Sequence, residues 1–145
     1  MGKNFIKLNV ISALYAFVFF ISFELWINFY RIYRLTGLEG NVLNTMIMVL
    51  HIFGIIMCSF LFFVLIKKWM GGKLLIYWST ILWFPYFILF TFVFAYLFPF
   101  TNQGDKPSAG TGFLFLVELI IYPFYLVFIN FIGTTLSGHF EEEST

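Results

Sequence analysis

The chain reads as an all-α membrane protein, a bundle of four transmembrane helices with short loops in up-down-up-down order. Two observations carry that reading. Of 145 residues, 61% are hydrophobic and only 10% charged, against about 25% charged in an average soluble domain. Four mostly apolar runs are also long enough to cross a hydrocarbon core roughly 30 Å thick. A soluble enzyme, a nucleic-acid binder and a disordered chain are excluded by this composition. A net charge of +1 offers no face to a polyanion or polycation.

The expected spans are 10–30, 42–66, 74–98 and 112–136, within a single integral membrane domain covering 1–145. The first is entered after Lys3 and Lys7 and closed by Arg31 and Arg34. Its apolar run is too long for a cleaved signal peptide, and Glu24, Trp26 and Tyr30 stand where small residues would be needed. It is therefore expected to be retained. Lys67, Lys68 and Lys73 close the second span, and Pro99 stops the third.

The connections 31–41, 67–73 and 99–111 are too short to hold a folded domain, so function is expected within the bilayer or on helix surfaces. Gly71-Gly72, between lysines, reads as a tight turn rather than a phosphate cradle. The stretch from Thr101 to Gly110 reads as a turn-rich mobile connector.

Basic residues set the expected orientation. Lys3, Lys7, Lys67, Lys68 and Lys73 fall on one side, against Arg31, Arg34 and Lys106 on the other. Both termini are thus expected in the cytoplasm, with the protein multi-pass in the cell membrane. Richness in Phe, Ile and Lys suggests an AT-rich bacterial genome.

Ionisable groups inside a span cost at least ~2.5–3.5 kcal/mol at mid-helix, so each needs a reason. Three stand out: Glu24, His51 and Glu118. Measured from the span midpoints Phe20, Gly54 and Phe124 at 1.5 Å per residue, they lie about 6, 4.5 and 9 Å off centre. Because adjacent spans alternate in direction, all three fall in the membrane half away from the termini. Three uses compete for such a cluster. It can tie the bundle together, with Glu24 bonded by His51 or a tyrosine. It can pass protons or cations. As a weak alternative, Glu24, His51 and Glu118 can ligate a metal, although no bundle-metal spacing is present.

Asn28 and Arg31 extend the polar face of Glu24, and Arg31 is placed to neutralise it if water enters. Asn44, His51 and Cys58 recur every seven residues, and Gly54 with Cys58 makes a small-xxx-small step for close helix contact. Tyr122 and Tyr125 stand on the Glu118 face, where their hydroxyls can satisfy the carboxylate. Pro85 and Pro123 each remove a backbone donor near mid-span, the usual cause of a kink. Asn130 lies off the Glu118 face and is expected to meet a partner helix.

A lone cysteine, Cys58, excludes an intrachain disulfide and a Cys-x-x-Cys redox pair. There is no haem histidine pair, no glycine elbow with Ser/His/Asp, and no phosphate loop. No cofactor is expected, and no stretch matches a family signature. The leading expectation is an accessory, immunity or assembly subunit of a membrane complex. Its partners would be the bilayer and either another membrane protein or itself. A small oligomeric transporter or channel using Glu24, His51 and Glu118 is the alternative. A membrane-embedded metal- or quinone-binding enzyme ranks third.

Overall fold

The computed structural model describes residues 2–70 and 73–142, with side chains as far as residue 135. Gly71 and Gly72 lie outside the described residues. Among the described residues five α-helices form: α1 (Gly2–Ile27), α2 (Phe29–Thr36), α3 (Gly40–Met70), α4 (Ser79–Leu97) and α5 (Ala109–Glu142). Short 3-10 turns precede α4 (Leu74–Trp78) and interrupt the last connection (Gln103–Asp105). Four segments are long and apolar enough to cross a membrane: Gly2–Ile27, Gly40–Met70, Leu74–Leu97 and Ala109–Thr135. The chain is an all-α, four-span membrane protein.

Side-chain pairings fix the direction of each helix. Against α1, α3 runs antiparallel: Lys7 reaches the Trp69 carbonyl near one end, while Ser22 meets His51 toward the other. α4 runs parallel to α1, because Asn9 meets Tyr86 and Phe20 meets Phe94. α5 runs antiparallel to α1, with Tyr15 on Asn130 and Phe23 on Phe115. The result is the alternating order that short connections impose.

α1 is the central element. Of its most apolar stretch 33% is buried within the protein, against 11% for each of the others. Their remaining apolar surface belongs to lipid, which exerts no hydrophobic drive between helices, so packing and polar contacts must hold them. Aromatic contacts supply much of the packing. The Phe19 ring lies 4.6 Å from Tyr122 and 5.1 Å from both Trp83 and Phe87, joining α1, α4 and α5. Phe23 extends the stack to Phe115 at 4.3 Å. Such edge-on and tilted pairs contribute ~0.5–1.5 kcal/mol each beyond area burial.

Among the described glycines, the one pressed against a neighbouring helix is Gly133, where α5 meets α3, and not Gly54 of the Gly54–Cys58 step. A Cβ on Gly133 would lie 2.7 Å from Ile66 Cγ2, whereas one on Gly54 would meet nothing within 4 Å. The small side chains on α3 open a groove instead of closing a contact. The buried seam of α3 runs through Leu43, Ile47, Phe62, Ile66 and Met70, while Asn44 is exposed and His51 and Cys58 are half-buried. Pro85 and Pro123 both lie inside their helices.

At Asn28 the backbone leaves the helical well, with φ −92° and ψ 13°. The ladder nevertheless continues, from Asn28 N–H to the Glu24 carbonyl and from Ile32 N–H to the Asn28 carbonyl. α2 then ends at Gly37, whose φ of +66° is the left-handed stop that glycine adopts without strain.

Candidate functional site

Polar side chains collect in three places, and the first is buried at the heart of the bundle. Tyr15 donates from its hydroxyl to Asn130 Oδ1 at 2.7 Å, and both side chains are wholly buried. Asn130 Nδ2 donates to Ser79 Oγ at 3.1 Å, and Tyr122 donates to the Tyr15 carbonyl at 2.7 Å. This layer joins α1, α4 and α5, and Ser59 with Tyr125 at 2.6 Å adds α3 beside it. Tyr122 and Tyr125 therefore serve helix contacts, whereas the sequence pointed them at Glu118. Helical spacing placed them on that face correctly, but their long rings reach past it to α1 and α3. Asn130 does meet partner helices, and all of them belong to this chain.

The second place holds His51. Its Nε2 shares a hydrogen bond with Ser22 Oγ, and its Nδ1 faces the Ile47 carbonyl at 2.9 Å. Trp26 lies against the imidazole, ring centres 5.7 Å apart, and also lines the small niche that holds Glu118. Trp26 thus stands between His51 and the Glu118 niche. Beside His51, α1 and α3 separate into a lateral groove of about 210 Å³, lined among others by Ile21, Ser22, Leu50, Gly54 and Cys58.

Glu24 belongs to the third place and joins neither His51 nor a tyrosine. Its Oε2 accepts from Asn28 Nδ2 at 2.7 Å, one turn on along the same helix. At 100° per residue, Ser22 and Glu24 stand about 200° apart around α1, so one faces α3 and the other faces α4. The three ionisable groups lie toward the same end of the bundle but not on one side of α1. Accordingly, among the described residues no three His, Cys, Asp or Glu side chains group closely enough to hold a metal. The metal set is thereby overturned.

Two cavities open at Glu24. One, of about 260 Å³, lies between α1 and α4 and is lined by Glu24, Asn28, Thr91, Phe94 and Phe98 among others. A broader groove of about 410 Å³ shares Glu24, Asn28, Phe94 and Phe98 and adds Arg31. Arg31 is not spent on Glu24. It donates to the Phe98 and Pro99 carbonyls at 3.1 and 2.8 Å, and its guanidinium lies 4.5 Å from the Phe100 ring centre.

Just outside, the last connection is tied down and is not the loose segment its composition suggests. Arg34 grips Asp105 with two hydrogen bonds of 2.8 Å, and Asn102 caps the Gly104 N–H at 2.9 Å. The Arg34 hydrogen bonds hold the Asp105 carboxyl below its ordinary value. Fork geometry of this kind is the strong form of an ion pair. Asp105 is only 1% exposed, which no local signal in a polar, turn-rich stretch announces.

Comparison with protein-family models, with curated proteins and with solved structures returns no match.

Proposed function

We propose that this chain is an accessory, immunity or assembly subunit that recognises another membrane protein through its helix surfaces. It would lie in the cell membrane with both termini in the cytoplasm. The observation that carries the reading is the lateral α1–α3 groove. There the His51–Ser22 pair sits at the edge of the bundle, beside a glycine whose Cβ position is empty. An ionisable side chain facing lipid costs a few kcal/mol. A partner helix laid in the groove would remove that exposure and use the space at Gly54, as small residues do at helix interfaces.

A second reading, a small oligomeric transporter, draws on the grouping of His51, Trp26 and Glu118. Glu24 would then act apart from that pair, since it faces α4. No metal-binding enzyme is supported, because the ligand set does not converge.

Site-specific photocrosslinking in native membranes tests the first reading. A benzophenone side chain placed at Gly54 should give one discrete adduct with a different membrane protein. The same probe at Phe92, 71% exposed on α4, should label lipid. Adducts only with a second copy of the chain, together with ion flux lost in His51→Ala, would favour the transporter. Lipid adducts alone at Gly54 would remove the groove from the argument.

A further inference from the structure

We propose that the cavities at Glu24 seat the headgroup of a zwitterionic phospholipid bearing a primary ammonium. The inference does not rest on the α1–α3 groove: the cavity lies between α1 and α4, and only the adjoining groove meets the α1–α3 groove, at Ile21 and Leu25.

It starts from two buried oxygens. Asn28 is 6% exposed, yet its Oδ1 receives no hydrogen bond among the described residues, and neither does buried Thr91 Oγ1. Leaving such an atom unpaired costs about 1–3 kcal/mol, so a partner is expected. Both residues line the 260 Å³ cavity together with the Glu24 carboxylate. A carboxylate and an amide oxygen can only accept in this setting, so the guest must donate more than one hydrogen bond. Phe23, Phe94, Phe98 and Phe100 complete the wall. Aromatic faces of this kind suit a cation.

Charge decides what else the guest carries. Arg31 and Arg34 stand against one carboxylate, Asp105. A bare cation would meet Glu24 but leave this end of the protein positive. Arg31 lines the adjoining groove with Glu24; its Nε faces Asp105 at 3.8 Å and its two terminal nitrogens each donate once, to the Phe98 and Pro99 carbonyls, so each terminal nitrogen keeps one further N–H. An ammonium at Glu24, Asn28 and Thr91 joined to a phosphate at Arg31 satisfies both halves and adds no net charge. Depth agrees: the first span runs Gly2–Ile27 and not 10–30, which puts Glu24 three residues from its end, nearer the interface than the sequence count placed it, and Pro99 follows the end of the third span. An interfacial headgroup resides at that level, and the apolar groove past Phe20, Ile21 and Leu25 receives the chains.

The chemistry makes a sharp demand: N–H donors, not merely positive charge. Native mass spectrometry of the intact protein, released from mixed vesicles, reads retained lipid. Phosphatidylethanolamine should be retained about tenfold over phosphatidylcholine, the worth of one charge-assisted hydrogen bond. The N-methyl and N,N-dimethyl forms should fall between. Glu24→Gln and Thr91→Val should each lower the ratio of phosphatidylethanolamine to phosphatidylcholine retained. Equal retention across the methylation series would overturn the proposal, and it is read on the unaltered protein. Stronger retention of phosphatidylglycerol than of phosphatidylethanolamine would also overturn it, showing that the arginines alone bind phosphate.

Discussion

The Tyr15–Asn130 bond ties the first span to the last, and its removal has a calculable cost. Tyr15→Phe deletes one hydroxyl and keeps the ring, including its edge-on contact with Phe62 at 4.5 Å. Asn130 then keeps its donor bond to Ser79 but loses the donor to Oδ1. In a soluble core an acceptor stranded this way costs about 1–3 kcal/mol. Interhelical hydrogen bonds in bilayers average about 0.6 kcal/mol and reach about 1.7. A 2.7 Å bond between two wholly buried side chains belongs near the upper part of that range, so about 1 kcal/mol is expected. Asn130→Ala should cost more, about 2 kcal/mol, because it strands the Tyr15 hydroxyl and also leaves a void. Ser79 is spared, since its hydroxyl also donates to the Ile76 carbonyl at 2.6 Å. The double variant isolates the bond: a coupling energy of about 1 kcal/mol is expected from reversible unfolding in mixed micelles, followed by tryptophan fluorescence. Additivity to within about 0.3 kcal/mol would refute the argument and reduce the contact to packing.

Other outcomes follow from the same geometry. Gly133→Ala forces a methyl against Ile66 and should destabilise by about 1–2 kcal/mol, after overpacking is set against the better helix propensity of alanine. On an Ile66→Ala background the same change should become neutral or favourable; an unchanged penalty would place the strain elsewhere. Glu24→Gln and His51→Ala should add in stability to within about 0.5 kcal/mol, whereas His51→Ala and Glu118→Gln should not. Because the Asp105 carboxyl is lowered from 3.8 by its hydrogen bonds with Arg34, the clamp contributes above that ordinary value and is lost as pH falls through the lowered one. Arg34→Gln should therefore lower the unfolding midpoint at neutral pH and match the unaltered protein in strong acid; equal midpoints at neutral pH would show the clamp to be idle.

Hydropathy made the spans legible, because a bilayer demands long apolar helices whatever they pack against. The shared end was legible too: counting along alternating spans put Glu24, His51 and Glu118 toward one end of the bundle, although α1 begins earlier than expected and Glu24 lies nearer its end than the count gave. What counting could not supply is rotation about each axis. Ser22 and Glu24 share a depth within two residues and still face different helices. Tyr122 and Tyr125 were misassigned for a related reason, since reach along a ring is decided by the neighbour and not by the period. Gly54 and Gly133 look alike in sequence. Only the position of Ile66 makes one a contact and leaves the other a gap. Arg34 and Asp105 pair across 71 positions, a contact no local pattern encodes.

The centrality of α1 has a consequence in time. Synthesis delivers the most enclosed helix before any helix that encloses it. Ser79, the start of the helix that α1 runs beside, follows Ile27 by about fifty residues, or about 3–10 s at ~5–20 residues per second. Through that interval Glu24 and Asn28 have each other and whatever lipid or insertion machinery lies alongside. The Glu24–Asn28 bond, closed within a single turn of α1, is available from the first moment. It gives the carboxylate a partner while the bundle is still one helix.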